Sequence, residues 1–133
     1  MSDEIEQLKN STRQITQKLF GAWTASKEAN ATAMDLWKHF FPDLAPHLSM
    51  FYAGRLYARE IISQKQRELC AVASLTVLDK PNELRAHIIA AMNVGAKDDE
   101  IAEVILQQCT YGGVPCMVEG LRTLKEVVDA REG

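Results

Sequence analysis

Apolar residues return every three or four positions along almost the whole chain, and strict alternation, the mark of a half-buried strand, is nearly absent. The pattern predicts helices. A first covers Asp3 to about Phe20, with Ile5, Leu8, Ile15 and Leu19 on one face and polar Thr12 breaking it. Gly21 loosens the chain, and Glu28 to Phe41 reads as a second helix bearing Ala33, Leu36, Trp37 and Phe40, which Pro42 ends. A third runs from about Leu44 to Arg59 and carries Leu48, Phe51, Tyr52 and Leu56.

The second half is better punctuated. Ser63-x-x-Gln66 fits a capping box for a helix from Gln64 to Leu78, apolar on most sides after Leu69 and therefore expected at the centre. Asp79-Lys80-Pro81 is a short break, with Pro81 suited to the first turn of a fifth helix that stops at Gly95. Asp98-Asp99-Glu100 opens a sixth, acids at the end where the helix dipole favours them, and it continues to about Tyr111. Gly112-Gly113 breaks it, and Pro115 opens a last helix ending near Arg131. Seven helices with short connections leave no room for a sheet. The expectation is an all-α, antiparallel multi-helix bundle, one domain spanning residues 1–133.

Composition narrows the partners. At 133 residues and 47% hydrophobic content there is enough for one core, and a net charge of −3 with interleaved signs argues against a nucleic-acid or anionic-membrane partner. The opening MSDEIEQLKN has no apolar signal segment, and the longest nearly unbroken apolar run, Leu69–Leu78, is about half a membrane span. Cys70, Cys109 and Cys116 are an odd number without metal-ligand spacing, which points to buried thiols in a reducing cytoplasm. No phosphate loop, dinucleotide fingerprint or zinc pattern is present, so no metal or organic cofactor is expected.

A few residues could carry chemistry. His87 borders the buried stripe of the fifth helix, where a lone histidine is otherwise a packing residue. Glu68 opens the most apolar helix; it either sits at a solvated end or has a partner such as His87 or an arginine. Arg67 and Arg85 could grip a carboxylate, although a single arginine more often pairs with a neighbouring acid. Tyr111 could present a hydroxyl at a helix end, or simply pack.

From Gln66 to about Glu126 the chain resembles the carboxymuconolactone decarboxylase family. The residues that carry this are Arg67-Glu68-Leu69, Glu83-Leu84-Arg85-Ala86-His87 and Ala90-Ala91-Met92-Asn93-Val94-Gly95-Ala96. Asp99-Glu100-Ile101-Ala102-Glu103-Val104 and Tyr111-Gly112-Gly113-Val114-Pro115 follow in the same order. Phe41-Pro42-Asp43-Leu44 and the segment Tyr52 to Ile62 extend the likeness upstream. It implies the all-helical alkylhydroperoxidase D-like fold and a homo-oligomer, a hexamer built as a trimer of dimers.

The family has two branches. In the peroxidase branch a glutamate is followed twelve and fifteen residues later by two cysteines and nineteen later by a histidine. Counted from Glu68, the histidine is His87, but the cysteine positions hold Lys80 and Glu83. The resemblance therefore implies the decarboxylase branch, acting without cofactor on 4-carboxymuconolactone or a related small acidic lactone in aromatic catabolism. By that reading His87 donates a proton or binds the oxyanion and Glu68 or Glu83 orients it. Arg67 and Arg85 hold carboxylates, and Tyr111 is a donor. Tyr57 departs from the tryptophan usual in the decarboxylases, which implies a changed pocket. An antioxidant of the alkylhydroperoxidase type and a non-catalytic oligomeric binding paralogue are the competing expectations.

Overall fold

The computed structural model describes residues 2–21 and 33–133. Every regular element among them is helical: α1 (Ser2–Phe20), α2 (Ala33–Phe40), α3 (Ala45–Ser49) running on as a π-helical segment (Met50–Leu56), α4 (Gln64–Val77), α5 (Pro81–Asn93), α6 (Asp98–Gln107), the single turn α7 (Cys109–Gly112) and α8 (Val114–Glu132). With the π segment taken as the end of α3 and α7 as the end of α6, this is the seven-helix, all-α arrangement that the periodicity predicts. The expected start of the second helix at Glu28 lies outside the described residues. No described helix is long and apolar enough to cross a membrane.

The chain divides into two compact units, Met1–Ile61 and Ile62–Gly133. In the first, α1 packs on the π segment. Thr12, which interrupts the apolar face of α1, turns its hydroxyl back onto the Leu8 carbonyl at 2.7 Å. It sits at a close crossing, since a Cβ on Gly54 would lie 2.4 Å from the Thr12 hydroxyl. Of the expected apolar face only Leu19 is buried, and α2 buries no residue. The π segment was not foreseen. Its wide turn bonds the Tyr57 N–H to the Tyr52 carbonyl at 2.9 Å. Residues five apart thus share a side, and the two tyrosine rings stack 4.5 Å apart.

In the second unit α4 and α5 form a hairpin, and α8 packs on α4, α5 and α6. Val72, Leu84, Ile88, Ile101 and Ile105 are sealed in one core. As expected, α4 is central, in contact with every other helix of this unit. Yet it buries a stripe, Glu68, Val72 and Thr76, rather than most of its surface. Cys116 is buried, whereas Cys70 is exposed and Cys109 half-buried, so the thiols are not uniformly interior as the sequence suggested.

Two helices of this unit end in the same hydrogen-bonded motif with different residues at its left-handed position. After α5, the Gly95 N–H reaches the Met92 carbonyl and the Ala96 N–H the Ala91 carbonyl, with Gly95 at φ 100°. After α4, the Asp79 N–H reaches Thr76 and the Lys80 N–H reaches Leu75, with Asp79 at φ 55°. A side chain in that conformation costs energy that glycine avoids. Asp79→Gly should therefore stabilise the protein by roughly 0.5 kcal/mol, while Gly95→Ala should destabilise it by about 1 kcal/mol. Urea unfolding of the two variants checks the opposite signs.

The first turn of α6 ties the unit together by charge. Asp98 accepts both terminal nitrogens of Arg131, at 3.0 and 2.7 Å, which links it to the end of α8. Glu100 pairs with Lys65 at 2.6 Å and accepts the Lys97 N–H at 3.0 Å. The Arg131 hydrogen bonds hold the Asp98 carboxyl below its usual range, and those from Lys65 and then Lys97 do the same for Glu100. Depressed folded-state values mean a stabilisation that is complete above the unfolded-state values, near 3.8 and 4.5, and is lost as pH falls through the folded ones. Acid titration of unfolding should show this loss below about pH 4.5, with Asp98→Asn and Glu100→Gln each flattening it.

Candidate active site

The capping box fixes where α4 begins. Ser63 accepts the Gln66 N–H at 3.0 Å, and the Gln66 side chain accepts the Ser63 N–H at 2.8 Å. With that start, Glu68 falls on the buried stripe one turn before Val72, and it is wholly sealed from solvent. On α5, His87 stands between buried Leu84 and Ile88, with 14% of its side chain exposed. The two meet: His87 Nδ1 lies 2.6 Å from Glu68 Oε2.

Counted from the helix ends, Glu68 is nine residues before the close of α4 and His87 six after the opening of α5. The difference is three residues, roughly 4.5 Å of axial rise. Two side chains of this length bridge it directly. The sequence, counted from the centre of the turn, suggests a larger offset of roughly 7 Å; the connection itself absorbs the rest.

A buried carboxylate is tolerated when paired and hydrogen-bonded. An ionised Glu68 requires the Nδ1 proton of His87, which sets the ring's roles. Nε2 is then an acceptor on the neutral ring and a donor on the imidazolium. The carboxylate itself is only half used. Glu68 Oε1 is buried and finds no hydrogen-bond partner among the described residues.

The other candidates fall elsewhere. Glu83, one turn before His87, is exposed and makes no hydrogen bond to it. The orienting place is taken by Glu68. Arg85 is bound by Glu126 of α8, the pairing with an acid that a single arginine usually makes. Glu126 lies forty-one residues away, so no local pattern announced it. Arg67 is half-buried on α4, next in sequence to Glu68. Tyr111 is 73% exposed on α7 and makes no hydrogen bond to the pair. Two open depressions in the first unit, one along α1 and one between α1 and the π segment, contain none of these residues. Among the described residues no three His, Cys, Asp or Glu side chains converge as metal ligands would.

What the fold and this site define is an all-helical protein with a carboxylate–imidazole pair locked between two helices of a hairpin. Residues 42–126 match the carboxymuconolactone decarboxylase family, and the chain belongs to it. It is 32% identical over 88 residues to the 4-carboxymuconolactone decarboxylase of Acinetobacter baylyi, a match covering 66% of each chain. The aligned part therefore spans just under two thirds of that relative's length. Over 131 residues it is 28% identical to an uncharacterized 15.0 kDa protein in the nqo9-nqo10 intergenic region of Paracoccus denitrificans, covering 96% of this chain and 95% of that one. At 96% of this chain, the second likeness takes in most of the residues before 42, which the family match leaves out.

Proposed function

We propose that the protein is a cofactor-free carboxy-lyase releasing CO2 from 4-carboxymuconolactone or a related small acidic lactone, in cytoplasmic breakdown of aromatic compounds. The observation that supports it is the buried Glu68–His87 pair in a chain of this family. In such a lactone the departing carboxylate sits on the γ carbon of an unsaturated ring. As its C–C bond breaks, CO2 leaves and the electron pair spreads onto the ring carbonyl, giving a dienolate. The His87 imidazolium then donates its Nε2 proton to the ring carbon. The ring is left neutral, with Nδ1–H still on Glu68, and water restores the proton. A well-placed donor to the developing oxyanion supplies about 3–4 kcal/mol of the acceleration.

In this reading Glu68 is a positioning residue, because none of it is exposed to substrate. Arg67, half-buried on α4 and next in sequence to Glu68, is assigned to the substrate's remaining carboxylate. The thiol-peroxidase reading lacks a cysteine at positions 80 and 83, which are Lys80 and Glu83.

CO2 release from 4-carboxymuconolactone is the direct test. His87→Ala and Glu68→Gln should each lower turnover at least about a hundredfold with the helical content unchanged. Full activity in both variants, or peroxide turnover that vanishes when Cys70, Cys109 or Cys116 becomes serine, would overturn the reading.

Assembly belongs to the same proposal. Phe40 (65% exposed) and Phe51 (59%) in the first unit, and Leu78 (62%) and Val114 (59%) in the second, are apolar side chains open to water. They suit burial against further copies of the chain in a homohexamer, a trimer of dimers. Light scattering should return six times the chain mass, and a monomer at micromolar protein would sink it.

A further inference from the structure

Each turnover of the proposed lyase consumes a proton. CO2 departs uncharged, the electron pair stays on the ring, and the proton that ends on the ring carbon leaves His87 one short. The replacement comes from solvent. Glu68 is no path for it, since its side chain is wholly sealed, whereas 14% of the His87 side chain is exposed. The proton therefore enters where the imidazole meets water. Glu83 stands beside that opening, exposed in the first turn of α5 and four residues before His87. Residues four apart are about 40° from each other around a helix, with Cβ atoms about 5–6 Å apart. A helical side chain also leans back over the turn before its own Cα, so the His87 ring tilts toward the turn that carries Glu83. Among the described residues the Glu83 carboxylate forms no ion pair or hydrogen bond, so nothing has to be broken before it can act.

We infer that Glu83 is the proton-relay residue of the site, taking a proton from solvent and handing it to His87 Nε2, directly or across one water, after each decarboxylation. The Glu83 carboxyl gives up its O–H proton, and the Nε2 lone pair takes it to restore the imidazolium. A hydronium ion or a buffer acid then recharges the carboxylate. The Nδ1 proton stays on Glu68 throughout, and no electrons are gained or lost. Glu83 acts through His87 and does not touch the substrate. Its part in turnover rests on the proposed lyase chemistry; the proton transfer between Glu83 and His87 does not.

Two measurements separate these. In NMR spectra of the full chain labelled with 15N histidine, without any lactone, exchange of the His87 Nε2 proton with water should slow severalfold in Glu83→Gln. Added acetate, a carboxylate free in solution, should bring the exchange back. Equal rates in the two proteins overturn the inference, whether or not any lactone is turned over. In the lyase assay at low buffer concentration, Glu83→Gln should lower kcat roughly tenfold with KM unchanged. Acetate should restore most of that loss, which it would not do for a residue that merely shaped the site. A kcat that ignores the substitution, or a loss that acetate does not repair, would also overturn the relay. If the unaltered chain releases no CO2, the lyase reading falls, and the exchange rates alone decide the relay.

Discussion

A carboxylate cannot be taken out of water alone, and much of the second unit follows from having to satisfy one. Moving a carboxylate into the interior costs several kcal/mol even after the protein relaxes. Glu68 is on the stripe that α4 turns to the core, beside Val72 and Thr76, so the hairpin must deliver a donor to it. His87 does so only in one register. A slip of one residue along α5 would carry the ring about 100° around its helix, and Ala86 or Ile88 would face the carboxylate instead. The devices that define the register are therefore part of the site although none of them touches it. Ser63 and Gln66 fix where α4 starts, Asp79 in its left-handed turn fixes where it stops, and Pro81 sets the first turn of α5.

Two cations close to the pair in sequence are held by other acids. Arg85 is two residues from His87 and could have been drawn toward Glu68, but Glu126 holds it. Lys65 is three residues from Glu68 and is held by Glu100. These contacts are exposed enough to contribute little stability one by one. Their larger effect is on which partner Glu68 has: an imidazole, which can give and take a proton near neutrality, rather than an arginine, which cannot.

What was legible in the sequence depended on how local the cause was. The capping box, the Gly95 stop and the Gly112-Gly113 break are decided by a few adjacent residues, and each was read where it stands. The Glu68–His87 pair was open to sequence reasoning because a single hairpin joins its halves; helix lengths on either side of one turn bounded the distance. The Arg85–Glu126 contact depends on how α8 crosses the hairpin, and nothing near either residue encodes that. The π segment is a case of another kind. Met50–Leu56 has ordinary helical periodicity, and the wider winding shows only when the Tyr57 N–H skips to the Tyr52 carbonyl.

The family resemblance implies that one Glu–His spacing serves two chemistries, and the structure indicates where they part. The two positions that hold thiols in the peroxidase branch are here Lys80, the residue capping α5, and Glu83, in its first turn. A helix start stabilises negative charge, which is why a thiolate would be favoured there. This chain places an exposed carboxylate in that field instead. With no cysteine at either of those positions, what the pair presents is an imidazole oriented by a sealed glutamate, a group able to hold and release a proton. Proton delivery to a carbon that has just lost its carboxylate is a reaction that asks for no more than that.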